Sequence, residues 1–280
     1  MLKKLIKHEF RATAKIFMWL YIAFAIIAAV NALFVPFDSS GMDASSVVSP
    51  TPIQAMLVVF YVLAIAAISI GTLVVIILRF YRNLLGDEGY LMMTLPVSRE
   101  QNVFSKLIVA VVWNICTISL IIASIFLFIG ASGAFNELGE AIRSMTAMGF
   151  PVGQWIATII ITMIVSVIAG ILVLYAAMAI GPNLLKNRLG GSILAFIIIA
   201  VASQFITLGI MAGVVTTSGG FALLSASQAT GQGLGDAAMS QAALSVVNNI
   251  TIGSLVSYVI IAVVCWFLTR YMMKKKLNLA

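Results

Sequence analysis

The sequence predicts an all-α integral membrane protein with six transmembrane helices. Of its 280 residues, 62% are hydrophobic and 9% are charged, against roughly 25% charged in an ordinary soluble domain. The charges leave six uninterrupted stretches, 16–37, 44–78, 107–136, 144–185, 189–235 and 237–269. Each holds the about 20 apolar residues that a membrane helix needs. Folded soluble proteins already expose about 55–60% apolar surface, so a soluble chain of this length has nowhere to bury so much more. Soluble enzymes and nucleic-acid-binding domains are thereby excluded, despite a formal net charge of +7.

Trimming polar and Pro/Gly-rich flanks places the spans at about 16–35, 53–78, 107–130, 156–180, 192–216 and 250–269, in a single transmembrane domain covering 1–280. Lys3, Lys4, Lys7, Arg11 and Lys15 precede the first span, and Arg79, Arg82, Arg99 and Lys106 lie between the second and third. Lys186 and Arg188 lie between the fourth and fifth, and Arg270 and Lys274 to Lys276 follow the sixth. Of the 16 basic residues only Arg143 falls on the other side. Lys and Arg concentrate in cytoplasmic loops, so both termini are cytoplasmic.

The first apolar run is longer than the core of a secretory signal and carries Trp19 and Tyr21 as interface anchors. It reads as a retained span. Ahead of it, Leu2, Leu5, Ile6 and Phe10 recur at helical spacing, with Lys3, Lys4, Lys7 and Arg11 on other faces. This pattern predicts a short helix lying in the cytoplasmic leaflet interface. Gly149-Phe150-Pro151 interrupts the fourth stretch before its helix begins. The Gly-, Ser- and Gln-rich tract after Thr216 is too polar to cross lipid alone.

No Asp, Glu, Lys, Arg or His lies inside these six spans. Proton relays, ion-coupled carriers and voltage sensors depend on ionisable groups at membrane depth, and an intramembrane hydrolase needs a nucleophile with a base or a metal. The single histidine is His8, outside the spans, and no Gly-Lys-Ser/Thr phosphate loop occurs. The chain is therefore expected not to be an enzyme and to hold no cofactor, so any energy for work comes from a partner. Asn31, Asn114 and Gln204 are amides within the spans, suited to interhelical hydrogen bonds or to a substrate path. Gly209-x-x-x-Gly213 and Ala67-x-x-x-Gly71 are small-residue spacings that let helices approach closely.

The longest cytoplasmic segment, 79–106, reads as structured. Gly86 suits a helix C-cap, and Asp87 suits the N-cap of a new short helix with Tyr90, Leu91, Met93 and Thr94. Pro96 stops that helix, and Ser98-x-x-Gln101 has capping-box spacing for the next. The string Gly86-Asp87-Glu88-Gly89-Tyr90-Leu91, followed by Thr94-Leu95-Pro96-Val97-Ser98 and by Ser105-Lys106, resembles the first cytoplasmic loop of bacterial ABC-2 type permeases, the membrane subunits of ATP-binding-cassette exporters. The six-span plan is similar to theirs too. The resemblance implies a coupling helix seated on an ATPase subunit that carries ATP and magnesium, with Asp87, Glu88, Gly89, Tyr90 and Leu91 at the seat and Leu95 and Pro96 closing it. It also implies a second permease subunit, identical or related, in the cell membrane. It implies alternating access for an amphipathic or apolar cargo such as a peptide, drug or lipid-like molecule.

A passive channel or ion-coupled carrier, or a non-transporting sensor or immunity subunit, is the competing reading. The channel or carrier predicts transport by the chain alone, driven by a gradient. Residues 217–249 are expected to form ordered helices on the outer face. Protease applied to intact cells should leave that segment largely uncut, and complete cleavage there would refute the expectation.

Overall fold

A computed structural model of the chain describes residues 2–34, 52–81, 99–131, 135–147, 149, 151–185, 188–217 and 236–275. Seven helices are formed among the described residues: α1 (Leu2–Phe34), α2 (Pro52–Phe80), α3 (Arg99–Ala131), α4 (Phe135–Ala147), α5 (Val152–Leu184), α6 (Arg188–Thr217) and α7 (Asp236–Lys275). All except α4 are long and apolar enough to cross a membrane, so the protein is an all-α, multi-pass membrane protein. The candidate coupling segment, with Asp87, Glu88, Gly89, Tyr90, Leu91, Leu95 and Pro96, lies outside the described residues.

The helices pack as two compact units, 1–141 and 142–280, within what the sequence suggests is one transmembrane domain. In the first unit α1 packs on α2 and α3, and α2 also touches α3. Helix α3 buries Val103, Lys106, Ala110, Trp113, Thr117 and Ser124. The first five alternate three and four residues apart and Ser124 follows after seven, the spacing of a seam between nearly parallel helices. Helix α1 answers with Thr13, Phe17, Phe24, Ala28 and Asn31. Phe24, Ala28 and Ile68 form one cluster, with Leu20, Tyr61, Ile65 and Leu120 against it. The outward faces carry Leu33, Ile53, Val62 and Phe126, all exposed, as lipid-facing side chains must be in a protein whose solvent is hydrocarbon.

Residues 2–15 are helical, but they do not form a separate interfacial element. Helix α1 runs unbroken through 33 residues, about 50 Å at 1.5 Å per residue and well beyond the ~30 Å hydrocarbon core. Two of the apolar side chains ahead of the span pack on protein. Phe10 stacks on Trp113 of α3, and Ile6 packs on the Phe17, Val109 and Trp113 cluster.

In the second unit α5 packs on α6 and α7, which also touch each other. From Ile171 to Gly181 helix α5 is buried on almost every side, through Tyr175, Ala176, Ala177, Met178 and Ala179. A helix apolar all round is a buried one, and the small Ala-Ala-Met-Ala run brings its neighbours close. Helix α7 buries Gly253, Ser257, Ile261, Cys265 and Thr269 at strict four-residue intervals, and a Cβ on Gly253 would come within 2.9 Å of Val214 Cγ2 of α6. That row is one ridge of a helix surface. The break at Gly149-Phe150-Pro151 is found where expected. Helix α4 ends at Ala147, Gly149 takes φ +81 and α5 starts at Val152. Only glycine adopts such a φ without cost. Helix α7 already begins at Asp236, so the second half of the segment 217–249 is helical.

The small-residue spacings divide in their roles. A Cβ at Gly71 would come within 2.9 Å of Leu20 Cδ1, so Gly71 admits a side chain of α1. Gly209 and Gly213 have open space around them and mediate no close approach among the described residues. The tightest approach is between Gly181 of α5 and Gly191 of α6. A Cβ on Gly181 would collide with the Ser192 backbone, and one on Gly191 with the Gly181 carbonyl.

Gly181→Val should therefore lower stability by about 1–3 kcal/mol through overpacking, whereas Gly209→Ala should be neutral or slightly stabilising. Thermal unfolding of the purified variants in nanodiscs checks both, and equal effects at the two positions would overturn this account of the α5–α6 contact.

Candidate functional site

The polar chemistry of the first unit collects where α1, α2 and α3 meet near the stems of the 79–106 segment. Glu9 of α1 is 3% exposed. Its two carboxylate oxygens bind different partners. Lys106 Nζ of α3 donates to Oε1 at 2.6 Å, and Arg79 Nε of α2 donates to Oε2 at 2.7 Å. Lys106 is buried to the same degree as Glu9, while the Arg79 side chain retains 24% exposure. The helix periodicity explains the geometry. Ile6, Glu9, Phe10, Thr13 and Phe17 share one stripe of α1, so Glu9 points inward although Lys3, Lys7, Arg11 and Lys15 around it are exposed.

One helical turn further in, Thr13 Oγ1 donates to the Glu9 and Phe10 carbonyls at 3.0 and 3.1 Å and accepts from Trp113 Nε1 at 2.8 Å. The indole of Trp113 stacks on Phe10 at 4.6 Å and on Phe17 at 4.4 Å, both within 12° of parallel. Those two rings are seven residues apart, about 10.5 Å along the helix, which leaves room for one aromatic ring between them. A hydroxyl node from all three helices follows. Tyr21 Oη donates to the Trp113 carbonyl at 2.9 Å and lies 2.9 Å from Thr117 Oγ1, which lies 3.0 Å from Thr72 Oγ1. Deeper still, Tyr61 Oη and Ser124 Oγ are 2.7 Å apart.

The amides noted in the sequence separate. Asn31 is 2% exposed and its Nδ2 donates to the Leu57 carbonyl of α2 at 2.5 Å, an interhelical tie, while its Oδ1 is buried without a hydrogen-bond partner. Asn114 is half-buried on α3, and Gln204 is exposed on α6. Asn31, Asn114, Gln204, Gly209 and Gly213 therefore do not converge on one path within either unit. No group of three or more His, Cys, Asp and Glu side chains able to hold a metal ion occurs among the described residues.

Sequence reasoning missed the Glu9–Arg79–Lys106 cluster. Each residue falls outside the trimmed spans and was counted there only as loop charge. The available signal was the position of Glu9. It is the one acid among the N-terminal basic residues, and it sits on the apolar stripe rather than on the basic faces. No protein-family model matches the chain, and neither curated proteins nor solved structures provide a match.

Chemically the cluster is a lock. Two cations satisfy one carboxylate, and removing a single partner from a buried pair leaves an uncompensated charge, at a cost of about 3–5 kcal/mol. Glu9→Gln should destabilise the chain by that amount because it removes the carboxylate that both Lys106 and Arg79 bind. Glu9→Gln with Lys106→Met should recover most of the loss. Thermal unfolding of the three proteins in nanodiscs makes the cycle, and a Glu9→Gln chain as stable as wild type would remove the cluster from any structural role.

Proposed function

We propose that the chain is the membrane-spanning permease subunit of an ATP-binding-cassette exporter in a bacterial cell membrane. It pairs with a second permease subunit and is driven by a separate ATPase subunit. The observation that carries this reading is the anchoring of α2 and α3 on either side of the acidic, Tyr-bearing segment 86–96. Arg79 near the end of α2 and Lys106 near the start of α3 bind the same carboxylate of α1. A force applied to the intervening segment from the cytosol is then delivered to three membrane helices at once. Without that bond, α2 and α3 would move against α1 and the force would dissipate before reaching the spans.

The resemblance of Gly86-Asp87-Glu88-Gly89-Tyr90-Leu91 and Thr94-Leu95-Pro96 to a coupling helix supports the same assignment. So does the lack of ionisable residues in the trimmed spans, which moves the energy source to the partner. In this mechanism ATP closes the two ATPase subunits, the coupling helices follow them, and the spans rock between inward and outward openings around an amphipathic or apolar cargo. This chain binds cargo and transmits motion and performs no covalent step.

Co-expression of the chain with ATPases encoded beside it should yield a complex that survives purification in nanodiscs. Glu88→Ala with Tyr90→Ala should lower cargo-stimulated ATPase activity about tenfold or more, with the amount of folded chain unchanged. The tenfold figure corresponds to about 1.4 kcal/mol of coupling. If no such ATPase associates, or if transport proceeds in liposomes containing this chain alone, the assignment fails.

A further inference from the structure

Helix α4 is the one described helix too short to cross a membrane, and the sequence reading did not anticipate it. It follows the third span after three residues and precedes the fourth after four. The distribution of basic residues puts both junctions on the outer side. None of its 13 residues is buried. Its apolar side chains nevertheless share one face. At 100° per residue, Phe135, Leu138, Ile142 and Met145 fall within an arc of about 80°. Glu137, Glu140 and Ser144 occupy the opposite arc, with Arg143 on the flank. All four apolar side chains are substantially exposed, between 38% for Leu138 and 50% for Phe135.

Two observations decide what covers that face. The connectors allow little freedom. Three or four extended residues reach at most roughly 13–18 Å, so both ends of α4 stay within a headgroup layer's distance of the spans. At its first residue the face also meets the end of α3. Phe135 folds back onto Gly130, where a Cβ would come within 2.8 Å of its ring. The apolar arc therefore starts directly against the end of the third span. The polar face holds two acids and one base, so it offers nothing to anionic headgroups, unlike the Lys/Arg-rich faces of helices that bind charged membranes.

We propose that α4 is an interfacial helix of the outer leaflet, with Phe135, Leu138, Ile142 and Met145 sunk among acyl chains and with its polar face under zwitterionic headgroups. This inference stands apart from the transport reading, since an outer-leaflet anchor serves any six-span protein of this topology.

The test uses the full chain, with Cys116→Ala and Cys265→Ala, in phosphatidylcholine nanodiscs. Nitroxide labels are placed singly through Leu138→Cys, Ile142→Cys, Glu137→Cys and Glu140→Cys. At Leu138 and Ile142 collisions with dissolved oxygen should exceed those with an aqueous nickel chelate, and at Glu137 and Glu140 the order should reverse. Met145→Cys and Ser144→Cys provide a second pair if any of these fails to elute as a monodisperse species. The pattern should persist unchanged when one third of the lipid is phosphatidylglycerol. Labels at 138 and 142 that favour the nickel chelate would place the helix in water. Labels shielded from both reagents would indicate a second protein chain on this face. A pattern that forms only with phosphatidylglycerol would refute the zwitterionic assignment.

Discussion

The first unit depends on one carboxylate held by two cations where water is nearly excluded. Taking Glu9 and Lys106 out of water is costly, and attraction in a low-dielectric setting offsets that cost only if geometry and hydrogen bonding are complete. Here both oxygens of Glu9 are used, at 2.6 and 2.7 Å, by donors from two other helices. The rest of the inward face is arranged to preserve this. Trp113, wedged between Phe10 and Phe17, sets the spacing of α1 and α3 just beyond the ion pairs, and Thr13 holds the indole N–H. The hydroxyls of Tyr21, Thr72 and Thr117 then repeat the three-helix junction in neutral form deeper in the membrane. Charge is confined to the level where Arg79 still touches solvent, and hydroxyls take over where ions would be too expensive to bury.

The second unit is held in a different way. It has Tyr175, Ser257 and Thr269 in its core, but its closest contact is backbone against backbone at Gly181 and Gly191. Without a hydrophobic force between helices in lipid, dispersion and close approach supply the association. Ala169, Ala176, Ala177, Ala179 and Gly181 make up half of the buried positions of α5, beside Ile171, Leu172, Val173, Tyr175 and Met178, whereas Phe, Trp and Tyr dominate the seam of α1 and α3.

Much of the fold was legible because the bilayer imposes a length and forbids charge. All six spans follow from those two constraints, and the break at Gly149-Phe150-Pro151 follows from its glycine and proline. The Ser98–Gln101 spacing likewise anticipates α3 starting at Arg99. What escaped follows from the same reasoning. Treating charge as a boundary marker ended each span at its first ionisable residue, so the helix around Glu9 was divided from the span it continues. Nothing in hydropathy distinguishes a solvated lysine from Lys106, whose burial depends on an acid 97 positions earlier in the chain. Helix α4 was missed because its period is helical but its mean character is neutral, which a search for long apolar runs passes over. The open surroundings of Gly209 and Gly213 show the converse, since the same spacing marks a tight contact at Gly71 and none on α6.

The Gly181–Gly191 contact has a mechanical consequence. Two helices separated by side chains can slide, because rotamers exchange and fill the gap. Two backbones in direct contact cannot move closer, and moving apart opens a void that neither glycine can fill. At that point α5 and α6 are limited to turning about each other, as two rods pinned at one crossing. Any displacement of α5 and α6 then pivots there, with the largest excursions at the far ends of both.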